Sequence, residues 1–195
     1  MIEIFAFPEK QFNMKRILSA IQHSRFSTFK WIIIAVITFI ALQKITAPFG
    51  RHTRGDFGPT INARLGWFLM EIPSPATFSL FFIFGNNNPS FTMWIFFVLW
   101  NLHYFNRSII YPIRQRDTKK HMPVAIMFSA IAFNVVNGFL NGYYLGSLCD
   151  VSKYGDEWLS DSRFVLGIAI FILGMFINWQ SDNILLSLRK PGETG

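Results

Sequence analysis

"FVLGIAIFILGMFI", Phe164–Ile177, runs directly into "NWQSDNILLSLRKPG", Asn178–Gly192. The first stretch holds no charged residue. A helix that crosses the ~30 Å hydrocarbon layer of a bilayer needs about 20 apolar residues, and this run with its neighbours supplies most of them. The second stretch then places Asn178, Asp182, Leu185 and Arg189 at spacings of four, three and four. Those spacings put them on one helical face. The pattern predicts a spanning helix over 163–188 with a polar stripe at one end.

Four other segments read the same way: 29–48, 65–84, 91–113 and 122–148. The second is interrupted by Pro73 and Pro75, where a kink or break is expected. Composition agrees with lipid surroundings. The 195 residues are 51% hydrophobic and only 15% charged, against about 25% charged in a soluble domain. The 23 Phe exceed what one small soluble core needs. The expected fold is therefore all-α, a polytopic transmembrane bundle with five spanning helices over 29–195.

A net charge of +7 raises the question of nucleic acid. The basic residues fall between the apolar segments, without an aromatic–basic ladder, so juxtamembrane charge is the better reading and no nucleic acid partner is expected. The one cysteine, Cys149, permits no intrachain disulfide. The four histidines form no HxH or HxxxH pair, and no metal is expected. No feature points to a protein partner.

Residues 1–28 place Met14, Ile17, Leu18 and Ile21 at helical spacing among Lys10, Lys15, Arg16 and Arg25. This predicts an amphipathic helix on the membrane surface. A cleaved signal peptide is the alternative, but no small-residue cleavage site follows the apolar run. Lys and Arg are more numerous around 44–64, 107–120 and 189–190 than on the opposite side, which assigns those regions to the cytoplasm. The acidic 149–162 loop then lies on the far side.

Of eleven acids, only Glu71 and Asp182 lie well inside apolar segments. Intramembrane charge is costly and by default marks a site. Polar stripes supply company for these acids. Tyr104, Arg107, Tyr111 and Arg114 recur at i, i+3, i+7 and i+10, as do Asn134, Asn137, Asn141 and Tyr144. Each stripe has a plainer reading. The first can be an interfacial aromatic belt with snorkelling arginines; His103 at its edge reads as a packing residue. The second runs beside Gly138, Gly142 and Gly146, whose spacing suits close helix contact. An Asp182–Arg189 tie can simply close a helix end. Together the stripes describe a cavity open to the basic side and suited to an anionic ligand. With no GxGxxG or GxxxxGK[ST], a nucleotide would be held by helical side chains. Intramembrane Glu, Asp and Asn would also suit a transporter.

Five stretches carry a family resemblance: "GRHT", "GWFLMEIPS", "LHYFNRSIIYP", "NGFLNGYYL" and "DSRFVLGIAIFILGMFINWQSDNILLSLRKPGE". In this order, over about 50–195, they resemble the steroid 5-alpha-reductases. The resemblance implies a seven-helix membrane bundle that uses NADPH to reduce a Δ4-3-oxosteroid, with hydride arriving at C5. It implies that Glu71 and Tyr104 hydrogen-bond the 3-oxo group. It implies cofactor contacts at Asn178, Asp182 and Arg189, with Arg107, Tyr111 and Asn137 as secondary choices. The substrate would be a lipid-like steroid. The cofactor site would face the cytoplasm, from an inner membrane in a bacterium or the endoplasmic reticulum in a eukaryote.

Two departures stand out. The family has Gln immediately before the motif Glu, where this chain has Met70. Further helices with more cofactor contacts follow in the family beyond "LRKPGETG", so 29–195 is expected to be C-terminally incomplete, with weak or no turnover alone. Related membrane reductases of enoyl thioesters, polyprenols or sterol double bonds are the alternatives, with the isoprenylcysteine methyltransferases more distant. A neutral carboxyl at Glu71 can donate to a carbonyl oxygen, as in other enone chemistry. Pro73 and Pro75 are expected to open a lipid-side entrance beside it.

Overall fold

The computed structural model describes residues 30, 32–46, 57–115 and 119–188. The predicted amphipathic segment 1–28 and Arg189 lie outside them. The chain divides into two compact units, Met1–Ala47 and Pro48–Gly195. In the first, the apolar helix α1 spans Ile32–Leu42, its side chains exposed.

The second unit is helical apart from one small ribbon. β1 (Thr60–Asn62) leads into α2 (Ala63–Glu71), and β2 (His121–Pro123) leads into α6 (Val124–Tyr143). The strands pair antiparallel with Ile61 opposite Met122. This ribbon is an addition to the all-α expectation. It clamps the starts of α2 and α6 together, which sets the register of the two helices. Asn62 caps α2 by accepting from the Arg64 and Leu65 amides at 3.0 and 3.4 Å.

The predicted 65–84 segment is two helices, α2 and α3 (Pro73–Ile83), joined at Ile72. Proline explains the joint: Pro73 and Pro75 have no N–H, so the Leu69 and Glu71 carbonyls lose their usual i+4 donors. Ile72 keeps a right-handed helical conformation, φ −61° and ψ −29°, so the chain bends but continues. α6 packs over the C-terminal side of the bend, while Glu71, Ile72 and Pro73 stay half-buried. Ser74 and Pro75 are buried, and a Cβ added at Gly138 would stand only 2.5 Å from the Ser74 carbonyl oxygen. Cβ atoms at Gly142 and Gly146 would meet the Phe78 and Phe81 carbonyls more closely still. The glycine row is thus the surface on which α3 and α6 meet backbone to backbone. Phe78 completes this seam, stacked on Trp100 with centroids 4.7 Å apart.

α4 (Phe91–Phe105) passes through a π-helical turn (Asn106–Ile110) into α5 (Tyr111–Arg114). A π turn carries five residues per hydrogen-bonded step and is frequent at functional sites. A second π turn, Tyr144–Leu148, ends α6. Two short 3₁₀ turns follow, and α7 runs from Ser162 to Ser187.

Two helical stretches are long and apolar enough to cross a membrane among the described residues: Val124–Leu148 and Ser162–Ser187. The one buried residue of α7 is Asp182, while Ile170, Ile172, Leu173 and Phe176 point outward. A soluble protein would invert this arrangement. With lipid as solvent, apolar side chains belong outside and the charge belongs within.

Candidate active site

Arg107, in the first turn of the π segment, is the hub of a half-buried ionic cluster. Its guanidinium lies 3.8 Å from Glu71 Oε1 and 3.6 Å from Asp182 Oδ2. One cation therefore faces both intramembrane acids, brought from α2 and α7. The guanidinium also lies over the rings of Trp67 and Tyr111, 4.6 and 5.0 Å from their centroids. Trp67 and Tyr111 meet edge to face at 5.0 Å. Cation–π contact adds about 0.5–2 kcal/mol per ring where water is excluded. The planar guanidinium suits this setting, since it stacks on rings while its edge serves carboxylates.

Next to the cluster is a row of amides. Asn134, buried on α6, donates from Nδ2 to the Met70 carbonyl at 2.6 Å and to Glu71 Oε2 at 3.5 Å. The first of these bonds satisfies a carbonyl at the proline bend, where the helical ladder is interrupted. Tyr104 donates from its hydroxyl to Asn134 Oδ1 at 3.4 Å, and Asn137 Nδ2 donates to the Tyr104 oxygen at 3.2 Å. Glu71 and Tyr104 thus share one neighbour, Asn134. The side chain of Met70, where the resembling family has Gln, is buried with Met122 and Met127. Only its backbone carbonyl reaches the polar row.

α7 is fastened to the site by polar contacts along its second half. Trp179 Nε1 donates to Asn106 Oδ1 at 2.9 Å. Asp182 pairs with Arg107, and Arg114 Nη2 donates to Asn183 Oδ1. Asp182 therefore has a partner in the π turn; the alternative of a tie to Arg189 falls outside the described residues. One turn before Asp182, the Oδ1 of Asn178 is buried without a hydrogen-bond partner. A buried orphan acceptor of this kind fits a ligand N–H or O–H.

Glu71, Tyr104, Arg107, Tyr111, Asn137 and Asp182 thus fall in one continuous set of contacts. Asn178 stands beside that set, and Arg189 is outside the described residues. Two features exceed the sequence reading. Arg107 bridges both acids, and Asn134 links both residues assigned to the ketone. Asn134 was visible as part of the amide stripe, but periodicity could not rank it above Asn137.

Fold and site define an integral membrane protein with an ionic cluster set among its helices. A family model for 3-oxo-5-alpha-steroid 4-dehydrogenase matches residues 120–195. Steroid 5-alpha-reductase DET2 of Gossypium hirsutum is 38% identical over 168 residues, covering 84% of this chain and 64% of that protein. The 3-oxo-5-alpha-steroid 4-dehydrogenase 1 of Bos taurus is 35% identical over 167 residues, covering 83% and 63%. The corresponding type 2 protein of Macaca fascicularis is 39% identical over 156 residues, covering 74% and 56%. Over most of its own length the chain is thus similar to steroid 5-alpha-reductases. It spans a little under two thirds of the length of these relatives.

Proposed function

We propose that this chain is the core of a membrane reductase that saturates the Δ4 double bond of a 3-oxosteroid, with Glu71 and Tyr104 polarising the ketone. The observation that carries the reading is the convergence of both side chains on Asn134 from separate helices. A carbonyl oxygen at that point would have the Tyr104 hydroxyl as a donor, and Glu71 as a second one whenever its carboxyl carries a proton in place of its pairing with Arg107. Hydride addition at C5 moves the enone π electrons onto the oxygen, and a proton then adds at C4. Donors already in place for the developing enolate oxygen lower the barrier most, because they need no reorganisation as charge appears. Arg107, 3.8 Å from Glu71, adds a fixed positive charge nearby.

NADPH, when bound, supplies the hydride. Asn178 and Asp182 are assigned to it, with Arg107, Tyr111 and Asn137 from the facing helices and Arg189 beyond the described residues. The buried, unpartnered Oδ1 of Asn178 supports this assignment. Five spanning helices and a cofactor side facing the cytoplasm belong to the same reading. Phe91–Arg114 is helical throughout, which supports a crossing there.

The test uses the full-length protein in membranes with NADPH and testosterone or progesterone. The 5α-reduced product is expected. Glu71→Gln and Tyr104→Phe should each lower kcat on the order of 100-fold, the usual cost of losing one oxyanion donor. Parental rates in both variants would overturn the assignment. Product from an enoyl thioester or a polyprenol, with none from the steroid, would move the chain to another reductase class.

A further inference from the structure

We infer that Asn134 is a positioning residue for this reaction: it aims the Tyr104 proton at the point where the ketone oxygen is polarised. The inference rests on the functional reading above and concerns a residue that the resemblance leaves without a role.

The argument is one of hydrogen-bond direction. The Met70 carbonyl can only accept, so the Asn134 atom 2.6 Å from it must be Nδ2. The amide is thereby oriented, and Oδ1 is left to face Tyr104 at 3.4 Å. An amide oxygen can only accept, so Tyr104 must be the donor in that pair. The other contact of the Tyr104 hydroxyl agrees, since Asn137 Nδ2 donates to it at 3.2 Å. Asn137 is oriented in turn, because Asn141 Nδ2 donates to Asn137 Oδ1 at 3.2 Å. Every bond in the row from Asn141 to Met70 therefore runs the same way. The single Tyr104 proton has one resting direction, toward Asn134 Oδ1. The Met70 carbonyl is the anchor of this order, since it fixes which end of the Asn134 amide faces Tyr104.

A ketone that docks between Tyr104 and Glu71 would meet a proton already aimed at it. Without the Asn134 amide, the hydroxyl can rotate away and the Met70 carbonyl is left without this donor. Rotation of one hydroxyl costs rate more than steroid affinity.

The test measures kcat and KM in the full-length protein, with testosterone and NADPH, for Asn134→Leu, Tyr104→Phe and the double variant. Asn134→Leu should lower kcat about 10- to 100-fold, the range of a single proton-positioning contribution. KM for the steroid should change less than about threefold. In the Tyr104→Phe background the same substitution should have little further effect, because its route of action is gone. Losses that multiply would show Asn134 to be merely structural and would overturn the inference. A parental rate in Tyr104→Phe would overturn the role of Tyr104 itself, a separate failure.

Asn134→Asp serves if Asn134→Leu does not fold. Its carboxyl reproduces both donor and acceptor only while protonated. Glu71, Tyr104, Arg107 and Asp182 are present in variant and parent alike, so the ratio of their rates reports the new carboxyl. That ratio should rise as pH is lowered, and a flat ratio overturns the inference.

Discussion

The α3–α6 seam and the seat of α7 are both helix contacts in an apolar protein, yet they are built from opposite materials. Along the seam, glycines let two backbones touch, and no side chain intervenes at Gly138, Gly142 or Gly146. At α7, the apolar surface stays outward and the second half is fastened by an indole, a carboxylate and an amide. Lipid tails are as apolar as leucine, so apolar area alone gives helices little reason to associate. Close packing and polar contacts are the two remaining means, and this molecule uses each in a different place. The close-packed seam makes a rigid frame. The polar attachment places α7 where its acid meets the cluster.

The largest effect is expected from breaking the seam. Gly142→Leu puts a side chain against the Phe78 backbone, which cannot yield as a flexible side chain can. Folded, monodisperse protein should disappear in size-exclusion chromatography, and Gly142→Ala should cost about 1–3 kcal/mol in thermal unfolding, as overpacking does. A Gly142→Ala protein with unchanged stability would show the seam to be looser than described.

The next effect is expected at the hub. Arg107→Met leaves Glu71 and Asp182 facing apolar surroundings without their shared cation, a loss of at most about 3–5 kcal/mol, the cost of breaking a fully buried pair. Adding Asp182→Asn to Arg107→Met should recover part of the unfolding temperature. If the double variant is no more stable than the single one, the cluster is not held by charge.

Trp179→Phe tests α7 more gently. It removes the bond to buried Asn106 Oδ1 and should cost about 1–3 kcal/mol, the range for one unsatisfied buried acceptor. The loss should appear first as faster hydrogen exchange in α7, with α3 and α6 unaffected. Equal loosening of both regions would remove the contrast between them.

The smallest effect is expected at the start of α7. Asp161 caps it by accepting from the Arg163 amide at 2.8 Å and pairs with the Arg163 side chain. These bonds hold its pKa down to about 2. A depressed carboxylate stabilises the folded helix end above its unfolded value, about 3.9. That contribution fades as pH falls from there toward 2. Protection of the Ser162–Val165 amides, taken relative to their intrinsic exchange at each pH, should therefore fall in this acid window. No change between pH 5 and pH 2 would show that the cap contributes nothing.

Much of this was legible beforehand, and for identifiable reasons. Glu71 and Asp182 stand out because a charge within an apolar run has few innocent explanations. The proline pair predicts a bend because a missing N–H acts locally. The glycine row and the amide row were both visible on α6, but their partners were not. Periodicity says which residues share a face, not which helix lies opposite. For that reason Arg107 could be read as a snorkelling residue, whereas the fold sets it between two acids.

By itself the sequence determined the helical, lipid-facing character of the chain, the bend near Pro73 and the two acids set inside apolar segments. These follow from composition and from spacings of three and four residues, which are local properties. The tertiary structure alone decided that one guanidinium serves both acids, that Asn134 stands between Glu71 and Tyr104, and that α6 packs against the bend at Ser74. Those facts depend on how a two-stranded ribbon and a row of glycines set α2, α3 and α6 against one another. Contacts between residues distant in the chain are fixed by that packing, and no local pattern encodes it.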